Sequence, residues 1–185
     1  MVIFASNLVL GIALAQTLNT LARQPNYSVS PTPIAAIAQS VLQPQLKYGR
    51  TLAHYATVSR NDGSFRRMFI EETAIADIQP GKSLADGTLI VMETWYSPEN
   101  LSTVFVKQKR NGKWEYSSFN PTVPNYQMSF SGSCHSCHAP FQKQDFTLTL
   151  PLLEAALKTR QVQTAYCDRP GRTPCEPKAY VPKQS

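Results

Sequence analysis

"STVFVKQKRNGKWEYSSF", residues 102–119, holds two extended runs on either side of Asn-Gly. That dipeptide suits the two left-handed positions of a tight hairpin turn, so the stretch reads as two antiparallel strands. Working outward, "LAHYATVSR" (52–60) and "SFRRMFIEE" (64–72) flank Asn-Asp-Gly and read as another hairpin. "TLIVMETWY" (88–96) is a strongly β-type run opened by Ala-Asp-Gly. "EETAIADIQPG" (71–81) reads as a short helix closed by Pro-Gly. The expectation is an α+β fold, predominantly an antiparallel sheet of about five strands with a few helices.

Upstream, "VSPTPIAAIAQSVLQPQL" (29–46) reads as a helix. Thr32 caps it, Pro33 fits its first turn, and Ile34, Ile37, Ala38, Val41 and Leu42 recur at helical spacing until Pro44. Downstream, "LPLLEAALKTR" (150–160) reads as a further helix. The first charged side chain is Arg23, and the apolar stretch before it ends in "ALAQ". Ala13 and Ala15 are the small residues a signal peptidase needs, so cleavage after Ala15 and export to the periplasm or an equivalent compartment are expected. Retention of the stretch as an anchor is the alternative. The formal net charge is +6, with the cations scattered rather than massed into a stripe, so no nucleic-acid partner is expected.

Residues 131–141, "SGSCHSCHAPF", set two cysteines and two histidines within five positions. Cys134, Cys137 and His138 have the spacing of c-type haem attachment. Two thiols separated by two residues reach the two vinyl groups of one porphyrin, and the next histidine turns its imidazole onto the iron. A dithiol redox pair normally opens a helix after a strand of a parallel unit, which this context lacks. A zinc site needs four ligands, and the only other cysteines, Cys167 and Cys175, lack knuckle spacing. His135 reads as a polar bystander and His54 as a structural strand residue. If haem occupies the first two cysteines, Cys167 and Cys175 are left to form a disulfide, a staple of about 2–3 kcal/mol for the tail.

"HYATVSRNDGSFRRMFIEETAI" (54–75), "ADGTLIVMETWY" (85–96), "VFVKQKRNGKWEYSSFNP" (104–121) and "CHSCHAPFQKQDFTLT" (134–149) together resemble the cytochrome P-460 and cytochrome c′-beta family, over roughly residues 50 to 150. The resemblance implies a mostly antiparallel β protein with one covalent haem c. Hydroxylamine-oxidising members cross-link a lysine to the porphyrin edge five residues after the Asp-Gly glycine. Counting from Gly87 reaches Met92, followed by Glu93. The cross-linking amine is missing, so the resemblance implies the type that binds small gases such as nitric oxide. It also implies an apolar distal pocket, with Phe65 or Phe69 over the iron, while Met68, Met92 and Met128 are the candidate methionine ligands.

The domain reading is a signal over 1–15, a helical segment over 16–50, a haem domain over 51–160 and a Pro-rich tail over 161–185. The leading function is an exported mono-haem cytochrome that binds a small gaseous or nitrogenous ligand or passes single electrons. The enzyme alternative oxidises a small nitrogen compound such as hydroxylamine, with Glu93 as catalytic proton relay. The remaining alternative is a non-haem exported protein with a structural or redox disulfide. Partners beyond the ligand are an unidentified electron-transfer protein and, as one option, a second copy of the chain.

Overall fold

A computed structural model describes residues 42–123, 129–130 and 132–182. The expected signal and the helical reading of residues 29–41 lie outside the described residues, as does Met128. Among the described residues no helix is long and apolar enough to cross a membrane.

The sheet has eight strands rather than about five. They are β1 (Pro44–Lys47), β2 (Arg50–Arg60), β3 (Phe65–Glu71), β4 (Leu89–Ser97), β5 (Asn100–Arg110), β6 (Lys113–Phe119), β7 (Ser129–Phe130) and β8 (Gln163–Cys167). Strands β1 to β7 are neighbours in chain order and antiparallel, and β8 pairs in parallel with the second half of β2. The expected strands are β2 to β6. β1 falls where the helical segment was expected to end, and β8 falls in the expected tail.

Turn chemistry explains the hairpins. Asn111 and Gly112 both have positive φ, 51° and 73°, and join β5 to β6 through a two-residue loop. The β1–β2 turn repeats that geometry with Tyr48 and Gly49, at 54° and 73°.

Two helices follow the sheet: α1 (Cys134–His138) and α2 (Leu150–Thr159). Short 3-10 helices cover Glu72–Asp77, Ala139–Gln144 and Pro177–Tyr180. Pro151 sits in the first turn of α2, where its missing N–H costs no bond. Leu150, Leu152, Leu153 and Ala156 bury that helix against one face of the sheet. Strand alternation assigns Met68, Ile70 and Ile90 to this inner face, and Leu52, Phe69, Val91 and Val104 to the outer one. A bulge between His54 and Ala56 puts Tyr55 and Ala56 on the same side, so Val58 and Arg60 continue along the inner face.

Candidate haem site

Helix α1 is one turn long, so Cys134 and Cys137 share a face at i and i+3 and His138 follows them. All three line a cavity of about 330 Å³ between α1 and the inner face of the sheet. Both cysteines are free thiols, whereas Cys167 and Cys175 are bridged.

His138 is held from behind. Its Nδ1 lies 2.7 Å from the carbonyl oxygen of Phe146. A carbonyl only accepts, so Nδ1 carries the proton and Nε2 keeps its lone pair for a metal. Burial first, then the charge of Lys107, pushes this histidine down to about 4, so the imidazole is neutral at pH 7. The Tyr116 ring packs 4.9 Å from it.

The Phe146 carbonyl is presented by an unusual turn. Asp145 and Phe146 both adopt left-handed backbone, at φ 51° and 54°. The Asp145 carboxylate takes both oxygens to the Lys109 ammonium, at 2.9 and 2.8 Å, and both groups are buried. A second lysine, Lys107, donates to the same Phe146 carbonyl at 3.1 Å and to Thr147 Oγ1 at 2.5 Å. Its ammonium also lies 3.9 Å from the centre of the Trp114 ring. Burial pushes Lys107 down to about 7.

Strand register grades the cavity floor. Ile90 pairs with Lys107, near His138. The next inward-facing row is Met68, Met92 and Phe105, and beyond it Arg66 pairs with Thr94. Each step is two residues, about 7 Å along the strands. The floor therefore runs from the histidine, across apolar side chains, to a cationic end.

Three buried polar atoms on this wall have no partner among the described residues: Arg60 Nε, Thr94 Oγ1 and Tyr116 OH. Among the described residues no aspartate or glutamate lines the cavity, whereas Arg60, Arg66, Lys107 and Arg172 do. A mainly apolar pocket with unpaired polar atoms and a rim lined by cations fits a flat apolar cofactor bearing carboxylates. The donor set, two free thiols and a neutral imidazole, fits haem c in particular.

Two expectations, the Glu93 relay and the distal phenylalanine, are corrected here, while His54 and His135 keep the structural and bystander places expected of them. Glu93 does not face the cavity; it is fully buried on the outer face. Its carboxylate pairs with Lys47 and accepts from Tyr48 OH at 2.7 Å and Trp95 Nε1 at 2.9 Å. Phe65 and Phe69 are also on that face, the first stacked on Trp95 and the second against His54. Among the described residues the phenylalanine that lines the cavity is Phe105. His54 closes the bulge through Ala56 O at 3.0 Å and Thr57 Oγ1 at 3.1 Å, away from the cavity. His135 is exposed beside Phe146 and Tyr116.

The sequence reading missed Phe105, Lys107, Tyr116 and the Phe146 carbonyl. Extending the inward parity of Met92 across the strand pairs would have found the first three. A main-chain acceptor leaves no side-chain signature. Among the described residues no cluster of three or more His, Cys, Asp or Glu is placed to hold a free metal ion.

An antiparallel sheet carrying a Cys-x-x-Cys-His turn over an apolar cavity defines a β-type haem protein. A family model described as cytochrome P460 matches residues 46–149, and the chain belongs to that family. Membership implies haem binding. Among curated proteins, none matches the chain closely enough to serve as a comparison. The family match ends before β8, so the disulfide-closed segment on the cavity wall is additional to it.

Proposed function

We propose that this is an exported mono-haem c-type cytochrome that binds a small neutral ligand or passes single electrons. In this reading Cys134 and Cys137 carry haem through thioethers, and His138 is the proximal ligand. The observation that carries it is the His138–Phe146 bond, which fixes a neutral imidazole with Nε2 unprotonated in a cavity flanked by two free thiols. Haem held there would supply a redox-active iron able to take up a further ligand.

The chain's own residues decide what that ligand meets. Met68, Met92 and Phe105 offer no hydrogen-bond donor, which favours neutral nitric oxide or carbon monoxide over polarised oxygen. Ligation by the Met68 or Met92 thioether is the electron-transfer form of the proposal, and both side chains line the cavity. Hydroxylamine oxidation is disfavoured on two counts. Met92 has no amine to link to a porphyrin edge, and Glu93 is sealed behind the sheet where it moves no proton to the cavity. The charge-free apolar stretch before Arg23 supports export.

Protein made with haem-maturation machinery should give an unmodified c-type pyridine haemochrome, lost in Cys134→Ala/Cys137→Ala. Its ferrous form should take up nitric oxide or carbon monoxide. A low-spin ferrous iron inert to both selects electron transfer. Sustained hydroxylamine turnover with an added electron acceptor refutes the proposal.

A further inference from the structure

The end of the cavity furthest along the strands from His138 carries cations that haem attachment does not use. Arg60 and Arg66 are both more than nine-tenths buried. Their guanidinium ends hold the disulfide-closed loop: Arg60 donates to Thr173 O at 2.5 Å and Arg66 to Gly171 O at 2.8 Å. Asp62 completes the anchorage by accepting the Gly171 N–H at 2.8 Å. That acid turns to the loop backbone, and no ion pair among the described residues joins Arg60, Arg66 or Arg172 to a carboxylate.

Two donors remain. Arg60 Nε and Thr94 Oγ1 are buried, on the cavity wall and without a partner among the described residues. The anchored loop adds Arg172, whose guanidinium lies 5.4 Å from the centre of the Phe105 ring and also lines the cavity. Burying one guanidinium N–H and a hydroxyl without acceptors costs free energy that an anion would recover. Arginine forks match the planar geometry of carboxylates and small oxyanions.

From this we infer that Arg60, Arg66, Thr94 and Arg172 form an oxyanion-binding end of the cavity, with the Cys167–Cys175 loop as its wall. The inference rests on the haem reading, and the occupant has one chemistry with two sources: the carboxylates of the bound haem, or a free oxyanion such as nitrite. Haem carboxylates there would orient the ring with its thioether edge at α1 and its polar edge under the loop. A free oxyanion would sit at the Arg66–Thr94 row, beyond the apolar row that favours a neutral ligand.

The test uses the haem-loaded protein, verified by its pyridine haemochrome, and compares wild type with R172Q. Exposed Arg110 lies outside the cavity, so R110Q controls for net charge. Nitrite is titrated calorimetrically, a readout that needs no haem, and the propionate bending mode is followed by resonance Raman. A shifted propionate mode in R172Q alone, with nitrite binding unchanged, assigns the site to the haem carboxylates. Nitrite binding weakened about tenfold in R172Q alone, the size of one charge-assisted hydrogen bond, assigns it to the free oxyanion. Movement of both readouts supports the site with both occupants. If R172Q moves neither, or no more than R110Q does, the inference is overturned. A missing haemochrome with R172Q-sensitive nitrite binding refutes the haem reading while the oxyanion site stands; without that sensitivity both fail.

Discussion

Replacing Lys109 by methionine tests whether a buried ion pair holds the proximal carbonyl in place. Three Lys109 contacts saturate its ammonium: the two Asp145 oxygens at 2.9 and 2.8 Å, and Leu84 O at 2.8 Å. Asp145 in turn accepts the Leu84 N–H at 3.0 Å. K109M strands a carboxylate that is 8% exposed, leaving it one backbone donor. Removing one partner of such a pair costs about 3–5 kcal/mol, a large part of the roughly 5–15 kcal/mol that holds a domain folded. The same carboxylate pins the left-handed turn at Asp145 and Phe146, so the His138 acceptor should loosen with it. K109M/D145L should recover part of the loss, because neither charge is then stranded. Recovery is incomplete, since Leu84 loses partners at both its N–H and its carbonyl. Urea denaturation of K109M, D145L and the double variant should give a coupling above about 2 kcal/mol. A K109M loss below about 1 kcal/mol, or additive single losses, would refute the reasoning.

Lys107 should give stability a pH dependence of its own. Its proton is bound more weakly in the folded chain, at about 7 against 10.5, so between those values the unfolded chain holds more protons and stability rises with pH. K107M should lack this rise, read as the difference in urea midpoints between about pH 7 and pH 9.5; equal slopes in both proteins would count against it. Cys167 and Cys175, eight residues apart, close a loop whose opening in C167S/C175S should cost about 2–3 kcal/mol by chain entropy. Because Arg60 and Arg66 are tied to that loop, the double variant should also become cleavable between 168 and 174 by limited proteolysis.

How much of this was legible depends on how local each cause is. The hairpin at 102–119 was readable because Asn111-Gly112 carries its own left-handed preference. Tyr48-Gly49 makes the same turn with no such signal in its first residue. The Tyr48 hydroxyl is tied to Glu93, 45 residues away, and no local reading contains that contact. β8 was missed for a similar reason: it is a short run inside a Pro-rich tail, and its parallel pairing with β2 spans more than a hundred residues. At the site, the Cys134, Cys137 and His138 spacing was readable because attachment chemistry dictates it. Reading the Cys167–Cys175 loop as a staple for the tail was incomplete, because the same loop carries Arg172 onto the cavity wall.

Met92 and Glu93 are adjacent in sequence, and the sequence reading gave both a part in one haem site. Strand geometry forbids that, since neighbours on β4 point to opposite faces of the sheet. Register decides which one meets the cavity, and a one-residue slip would exchange them. The outer face fixes the register: Trp95 opposes Phe65 with rings stacked at 5.9 Å, and Glu93 is held by Lys47, Tyr48 and Trp95. A slip would break all of those contacts and set a carboxylate beside the methionines. The two positions therefore separate experimentally. E93Q should cost about 1–3 kcal/mol in urea denaturation, because the new amide –NH2 group faces donors, and should leave ferrous nitric oxide or carbon monoxide affinity unchanged. A change in ligand affinity at constant fold would place Glu93 in the cavity after all. M92E brings an acid to the inner face, opposite Met68 and Phe105, where it should alter ligand affinity directly.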